Sequence, residues 1–175
     1  MSGRYLHTWL WGRAWTIYTV FVFQGAIETK ISIVICQKRH KTRFAYEQPD
    51  GTRLNCCPGV CVDAKGGAES IVSATFTEFY LNSHTAIQGT AKSCKYSLIY
   101  DEIGIKLSEL ELLTYWSCYL YARCNRSVSY ATPAYYAHWA SRRAKYLFSA
   151  GATDGALIDI SRLWSRMASP GMFFL

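Results

Sequence analysis

Two clusters of cations with hydroxyls beside them are the parts of this sequence best suited to chemistry. The first is Gln37-Lys38-Arg39-His40-Lys41-Thr42-Arg43, with four formal positive charges in seven positions. The second is Arg123 and Arg126, followed by Ser127, Ser129 and Tyr135. Guanidinium and ammonium groups with hydroxyls nearby suit phosphate oxygens, because charged and neutral donors together satisfy several lone pairs. His84 and Thr90 flank a third stretch, whose backbone N–H groups around Ile87 to Gly89 can add neutral donors. Each feature also has a plain structural counterpart. A charge run after a strand is often a solvated turn, an arginine pair after a helix interacts favourably with its dipole, and a histidine after a strand can be a satisfied structural residue.

The cysteines point away from metal and disulfide chemistry. There are seven, at 36, 56, 57, 61, 94, 118 and 124, an odd number without a repeated short spacing. Cys57 and Cys61 lack a second Cys or His pair at the spacing a structural zinc requires, so reduced and partly buried thiols are expected. That usage fits the cytosol or the nucleus.

Regular elements must hold these groups in place. Thr16 to Phe23 reads as a buried strand, being rich in β-branched and aromatic residues. It lies within Ala14 to Ile27, an uncharged run of 14 residues. Such a run is too short to span a bilayer, which takes roughly 20 apolar residues, and reads as a core element or the h-region of a signal peptide. Lys30 to Gln37 reads as a second buried strand, ending at the first basic cluster. Residues 47 to 59 carry Pro49, Asp50, Gly51, Pro58 and Gly59 and read as a loop. A short strand over Val60 to Asp63 leads into a loop at Lys65-Gly66-Gly67, and Thr77 to His84 and Lys95 to Asp101 read as two more strands.

Helices follow the strands. Ser108 and Glu111 form a capping-box pattern, and Leu110, Leu113, Trp116 and Leu120 recur at helical spacing, which predicts a helix to about Tyr121. A second helix is expected from Thr132 as N-cap, with Pro133 at its first position, to about Phe148. A short helix over Ile158 to Met167 precedes Pro170 and the apolar end Met172-Phe173-Phe174-Leu175, which makes sense as a docked tail. No internal repeat or low-complexity segment is present. Strands followed by helices suggest an α/β domain.

Composition agrees with a single folded unit bearing a polyanion partner. The chain has 175 residues, half of them hydrophobic, and a formal net charge of +7. Its thirteen tyrosines are interleaved with basic residues, the combination that stacking and phosphate contacts on a single strand require, though a Tyr-rich core and rim has the same composition.

Three long segments, in order, resemble the Piwi domain of the Argonaute family. They are Gln37 to Arg43, Glu78-Phe79-Tyr80-Leu81-Asn82-Ser83-His84-Thr85-Ala86-Ile87-Gln88-Gly89-Thr90, and Tyr121-Ala122-Arg123-Cys124-Asn125-Arg126-Ser127-Val128-Ser129 through Pro133-Ala134-Tyr135-Tyr136-Ala137-His138. The resemblance covers roughly residues 29 to 175 and leaves residues 1 to 28 unassigned. It implies a partial RNase H-like fold, the second half of the domain, with a mixed sheet flanked by helices.

The resemblance also implies partners and site residues. Lys38, Arg39, His84, Lys92, Tyr121, Arg123, Ser129 and Tyr135 match positions that contact the backbone of a small guide RNA in this family. Lys92 stands where an arginine is common, which keeps the charge and loses the bidentate fork. Thr90 and Arg126 join this set on the chemistry above. Arg143, five residues after His138, matches an arginine that reaches toward the guide's 5′ phosphate, and the Leu175 carboxylate matches the family's buried C-terminus. His138 matches the fourth member of a metal-binding tetrad that holds two Mg2+ ions for slicing of a target RNA. The three acidic members precede Gln37 in the family, in a stretch with an Arg-Asp-Gly-Val motif; residues 1 to 36 lack it and contain one acid, Glu28. A single imidazole cannot hold two magnesium ions, so no metal is expected on this chain alone and no slicing by it. The expected partners are guide RNA, target RNA and silencing scaffold proteins, with neither DNA nor membrane. Other readings are an RNase H-like endonuclease that takes its carboxylates from a partner chain, and a membrane-anchored interaction module using residues 1 to 28.

Overall fold

The structure is a computed structural model in which residues 16–24, 29–64, 72 and 77–151 are described. The expected loop at Lys65-Gly66-Gly67, the tail helix over Ile158 to Met167, and Leu175 lie outside the described residues.

Among the described residues, seven strands and two helices follow one another as β1 (Thr16–Gln24), β2 (Thr29–Gln37), β3 (Ala45–Glu47), β4 (Arg53–Asn55), β5 (Val60–Asp63), β6 (Thr77–Asn82), β7 (Cys94–Asp101), α1 (Leu107–Ser117) and α2 (Thr132–Gly151). Five strands form one sheet in the order β1-β2-β7-β6-β5. The chain divides into two compact units at Ala134–Tyr135, so α2 begins in the first and runs through the second.

The expectation of a mixed sheet is narrowed, because every ladder among the described residues is antiparallel. Parallel neighbours need a long crossover, usually a helix, and both described helices come after β7. The α/β class is otherwise as read. Residues 47 to 59 are more ordered than a loop: β3 and β4 pair as a hairpin. Its turn is closed by Gly51 N–H donating to Gln48 O at 2.9 Å and by Thr52 N–H donating to Asp50 Oδ1 at 2.9 Å.

The core forms where β6 and β7 lie side by side. Phe79 and Tyr96 are cross-strand partners, and their rings stack at 5.2 Å. Both are buried, with Leu81, Cys94 and Cys118 beside them among the most enclosed side chains. β2 contributes through its alternation: Ser32, Val34 and Cys36 are buried, whereas Ile31, Ile33 and Ile35 are half-buried. A polar network lies within this sheet. Glu78 on β6 pairs with Lys95 on β7 at 2.8 Å and accepts a bond from Ser97 Oγ at 2.7 Å.

Helix α1 differs from its expected form in three ways. Its N-cap is Lys106, which makes no side-chain cap bond, and Ser108 sits inside the helix, so the capping box does not form. It ends at Ser117, with Tyr119 N–H reaching Trp116 O and Leu120 N–H reaching Ser117 O in a tightened last turn. Its inward stripe is Leu110, Thr114 and Ser117, while Leu113, Trp116 and Leu120 are exposed. Thr114 Oγ1 donates to Leu110 O and Ser117 Oγ to Thr114 O, both at 2.7 Å, so the hydroxyls enter the interior already satisfied. In α2, Thr132 is the first helical residue and its buried hydroxyl has no hydrogen-bond partner, so it is not the side-chain cap expected.

Strand β6 stops at Asn82, two residues before the expected end. Asn82 Nδ2 donates to Cys56 O at 2.7 Å, and Ser83 Oγ turns away to donate to Val128 O at 2.5 Å. The connection between the helices is held from the other side by Tyr96, whose hydroxyl accepts the Ala131 N–H at 2.9 Å. Tyr96→Phe keeps the ring and strands that buried N–H; the expected loss is about 1–3 kcal/mol of stability, measured as a fall in the urea midpoint without a change in its slope.

Candidate nucleic-acid interface

Antiparallel register brings distant segments to one end of the sheet. Gln37 at the end of β2 pairs with Lys95 near the start of β7, and Leu81 near the end of β6 pairs with Cys94. Lys38 and Arg39 therefore leave the sheet on one side of the start of β7 and its preceding Lys92 and Ser93, and His84 leaves it on the other. His40 fastens this corner. Its Nε2 donates to Ser93 O at 2.9 Å, and its ring meets Tyr80 edge-on at 5.1 Å.

The segment between β6 and β7 is held by the β3–β4 hairpin. Asn55 Nδ2 donates to Gly89 O at 2.8 Å, and Asn55 Oδ1 accepts the Ala91 N–H at 2.9 Å. Gly89 has φ of 69°, a conformation in which other residues are strained. Within this segment Thr90 and Lys92 are exposed and His84 is half-buried.

The connection after α1 joins the same sheet end. Val128 N–H donates to Cys118 O at 2.9 Å, which closes an excursion that carries Tyr121, Arg123 and Arg126. Both arginines are exposed, and Tyr121 and Ser129 are half-buried. Lys38 Nζ sits 3.9 Å from the centre of the Tyr130 ring, tying the end of β2 to this connection. Thus Lys38, Arg39, His84, Lys92 and Ser129 lie at one end of the sheet on three stretches of chain, with Thr90 in the segment between β6 and β7 and Tyr121, Arg123 and Arg126 on the adjoining excursion.

Tyr135, His138 and Arg143 belong to the second unit and are described on α2 alone. Tyr135 and His138, three residues apart, share a helix face and are half-buried. Arg143 is exposed on another face, and Arg142 lies over the Trp139 ring at 5.7 Å. Among the described residues no group of three or more His, Cys, Asp or Glu side chains is disposed to hold a metal ion. Nor is any helix among the described residues long and apolar enough to cross a membrane.

Burial sets the electrostatics of the sheet end. It lowers the pKa of Lys38, an effect that nearby Cys36 and Cys94 oppose. It also lowers both His40 and His84, the former further through Arg43 and Lys95. Near pH 7 both imidazoles are therefore neutral donors. Lys95, which sequence reading left unassigned, is already balanced by Glu78. His40, Asn55 and Tyr130 were also not singled out: His40 lies inside the basic run and Tyr130 beside Ser129, yet neither spacing shows which strand or cation each meets.

Comparison with known proteins now decides the family. The family model of the Piwi domain matches residues 19–149. The chain belongs to the Piwi-domain family. Protein argonaute 5 of Arabidopsis thaliana is 42% identical over 131 residues, 72% of this chain and 13% of its own length. Protein argonaute 14 of Oryza sativa subsp. japonica is 38% identical over 160 residues, 89% of this chain and 15% of its own. This Piwi chain therefore spans a small part of the length of the curated relatives it matches. Among solved structures, the C-terminal lobe of a budding yeast Argonaute is similar with a TM-score of 0.65 at 24% identity, over 83% of this chain and 31% of that one, and shows the fold. Kluyveromyces polysporus Argonaute with a guide RNA gives a TM-score of 0.59 at 28% identity, over 70% of this chain and 14% of that one.

The two depressed histidines make the stability of this Piwi chain acid-sensitive. In the unfolded chain they take up protons as pH falls through about 6.5, before the folded chain does. The stability they contribute is fully present above that value and is lost as pH falls through their folded-state values. The melting temperature should fall between pH 7.5 and 5, and fall less steeply in a His40→Gln, His84→Gln double variant; parallel curves would mean these two groups do not carry the dependence.

Proposed function

We propose that the sheet end of this Piwi chain binds the sugar-phosphate backbone of a small guide RNA, as part of an Argonaute in RNA-mediated gene silencing. The observation that carries the reading is the placement of Lys38, Arg39, His84, Lys92 and Ser129 at one end of an antiparallel sheet, with Thr90 in the adjoining segment. Exposed ammonium and guanidinium groups there meet phosphate oxygens without a large desolvation cost, while the hydroxyls and the neutral imidazole of His84 act as uncharged donors. The arginines at 123 and 126 extend the cationic surface along the adjoining excursion. The Kluyveromyces polysporus Argonaute, solved with a guide RNA, supports an RNA partner for the matching region.

Such contacts address the backbone and carry little sequence information. A target RNA paired to the guide would be the second nucleic acid, and Tyr135 and Arg143 would serve the guide from α2. Slicing lies outside what this chain supplies: His138 would need carboxylates from elsewhere before magnesium ions could activate water beside a target phosphate. Silencing scaffold proteins are further expected partners of the whole Argonaute. All seven cysteines are free, which supports the cytoplasm or nucleus as its compartment.

A salt series on a 5′-phosphorylated single-stranded RNA of guide length tests the reading. Each phosphate contact contributes about 0.7 to the slope of log affinity against log salt on a single strand. A Lys38→Ala, Arg123→Ala double variant should therefore bind more weakly, with a slope reduced by about 1.4, across unrelated sequences. A folded wild-type chain whose affinity ignores salt would sink the proposal.

A further inference from the structure

The Lys38 ammonium does not simply extend into solvent. Its Nζ lies 3.9 Å from the centre of the Tyr130 ring, within the range in which the face of an aromatic ring attracts a cation. Lys38 is half-buried, whereas Arg39 next to it is exposed. A lysine has a flexible four-carbon stem, so a fixed ammonium needs something rigid against it.

Tyr130 has that rigidity. The connection in which it lies is tied to α1 through Val128 N–H and Cys118 O, to the end of β6 through Ser83 Oγ and Val128 O, and to β7 through Ala131 N–H and the Tyr96 hydroxyl. Ser83, Cys118 and Tyr96 are buried. The ring is thus mounted between two tied residues, and its face is presented to the first residue beyond β2.

We propose that Tyr130 is a positioning residue for the guide backbone, holding the Lys38 ammonium over its ring so that the cation meets a phosphate next to Ser129. This rests on the guide-binding reading and adds a residue that reading does not contain. The ring fixes the ammonium and removes part of its hydration before RNA arrives. The side-chain freedom that a phosphate contact would otherwise freeze out is already lost. The burial that lowers the Lys38 pKa agrees with this partial dehydration. Tyr130 needs only its ring for the role, so the hydroxyl is dispensable.

The test combines a spectroscopic and a binding readout on the full chain. In the free protein, the Lys38 ε-methylene protons should be shifted upfield by the ring in wild type and in Tyr130→Phe, and return to ordinary values in Tyr130→Leu. Affinity for a 5′-phosphorylated single-stranded RNA of guide length should fall about tenfold in Tyr130→Leu and within about twofold in Tyr130→Phe. In a Lys38→Ala background, Tyr130→Leu should cost nothing further, because the two act as one unit. Equal losses in both backgrounds, or an unshifted Lys38 resonance in wild type, would overturn the positioning role while leaving guide binding intact. A wild-type chain with the shifted resonance but no salt-dependent RNA binding would instead overturn the guide-binding reading, and the positioning role with it.

Discussion

The buried phenol of Tyr96 is the constraint on which the sheet end depends. Its ring is stacked on Phe79 across the β6–β7 ladder, and its hydroxyl accepts the Ala131 N–H, which helps to anchor the connection between the helices. Burial raises the pKa of this phenol far above its ordinary value, so it remains protonated and neutral. A core contact and a surface arrangement are thereby the same contact: the ring packs the interior while the oxygen fixes the chain that carries Ser129 and Tyr130. Ser83 does the equivalent from β6.

The cations at this end are graded by their surroundings. Lys95 is taken up by Glu78 within the sheet, Lys38 is half-buried against an aromatic ring, and Arg39, Lys92, Arg123 and Arg126 are exposed. Formal charge therefore overstates how many cations an RNA could meet on equal terms. Attraction between a polyanion and the exposed cations is screened by salt, whereas a half-buried cation is screened less.

Helix α1 shows how a polar stripe can face inward. Thr114 and Ser117 bond to carbonyls of their own helix, which removes the penalty of burying hydroxyls and lets a leucine, a threonine, a serine and Cys118 line the interior. The apolar residues Leu113, Trp116 and Leu120 are left on the outer face. Hydrophobic periodicity marks a helix correctly here, yet of the four apolar residues at its spacing only Leu110 is buried, since periodicity registers which residues are apolar and has no access to hydrogen bonds that make polar ones acceptable inside.

From sequence alone, the strands over 16–24, 29–37, 60–63, 77–82 and 94–101 and both helices were legible to within a few residues, because β-branched runs, turn residues and helical spacing are local signals. The long segments around Lys38, His84 and Arg123 identified the family for the same reason: they are contiguous. Tertiary structure alone decided which of these residues meet. The β2–β7–β6 register, the Asn55 bonds to Gly89 and Ala91, the Tyr96 bond to Ala131 and the Lys38–Tyr130 contact all join residues far apart in the chain. Residue type permits each of those contacts without specifying its partner, and only the packing of the whole sheet end selects one.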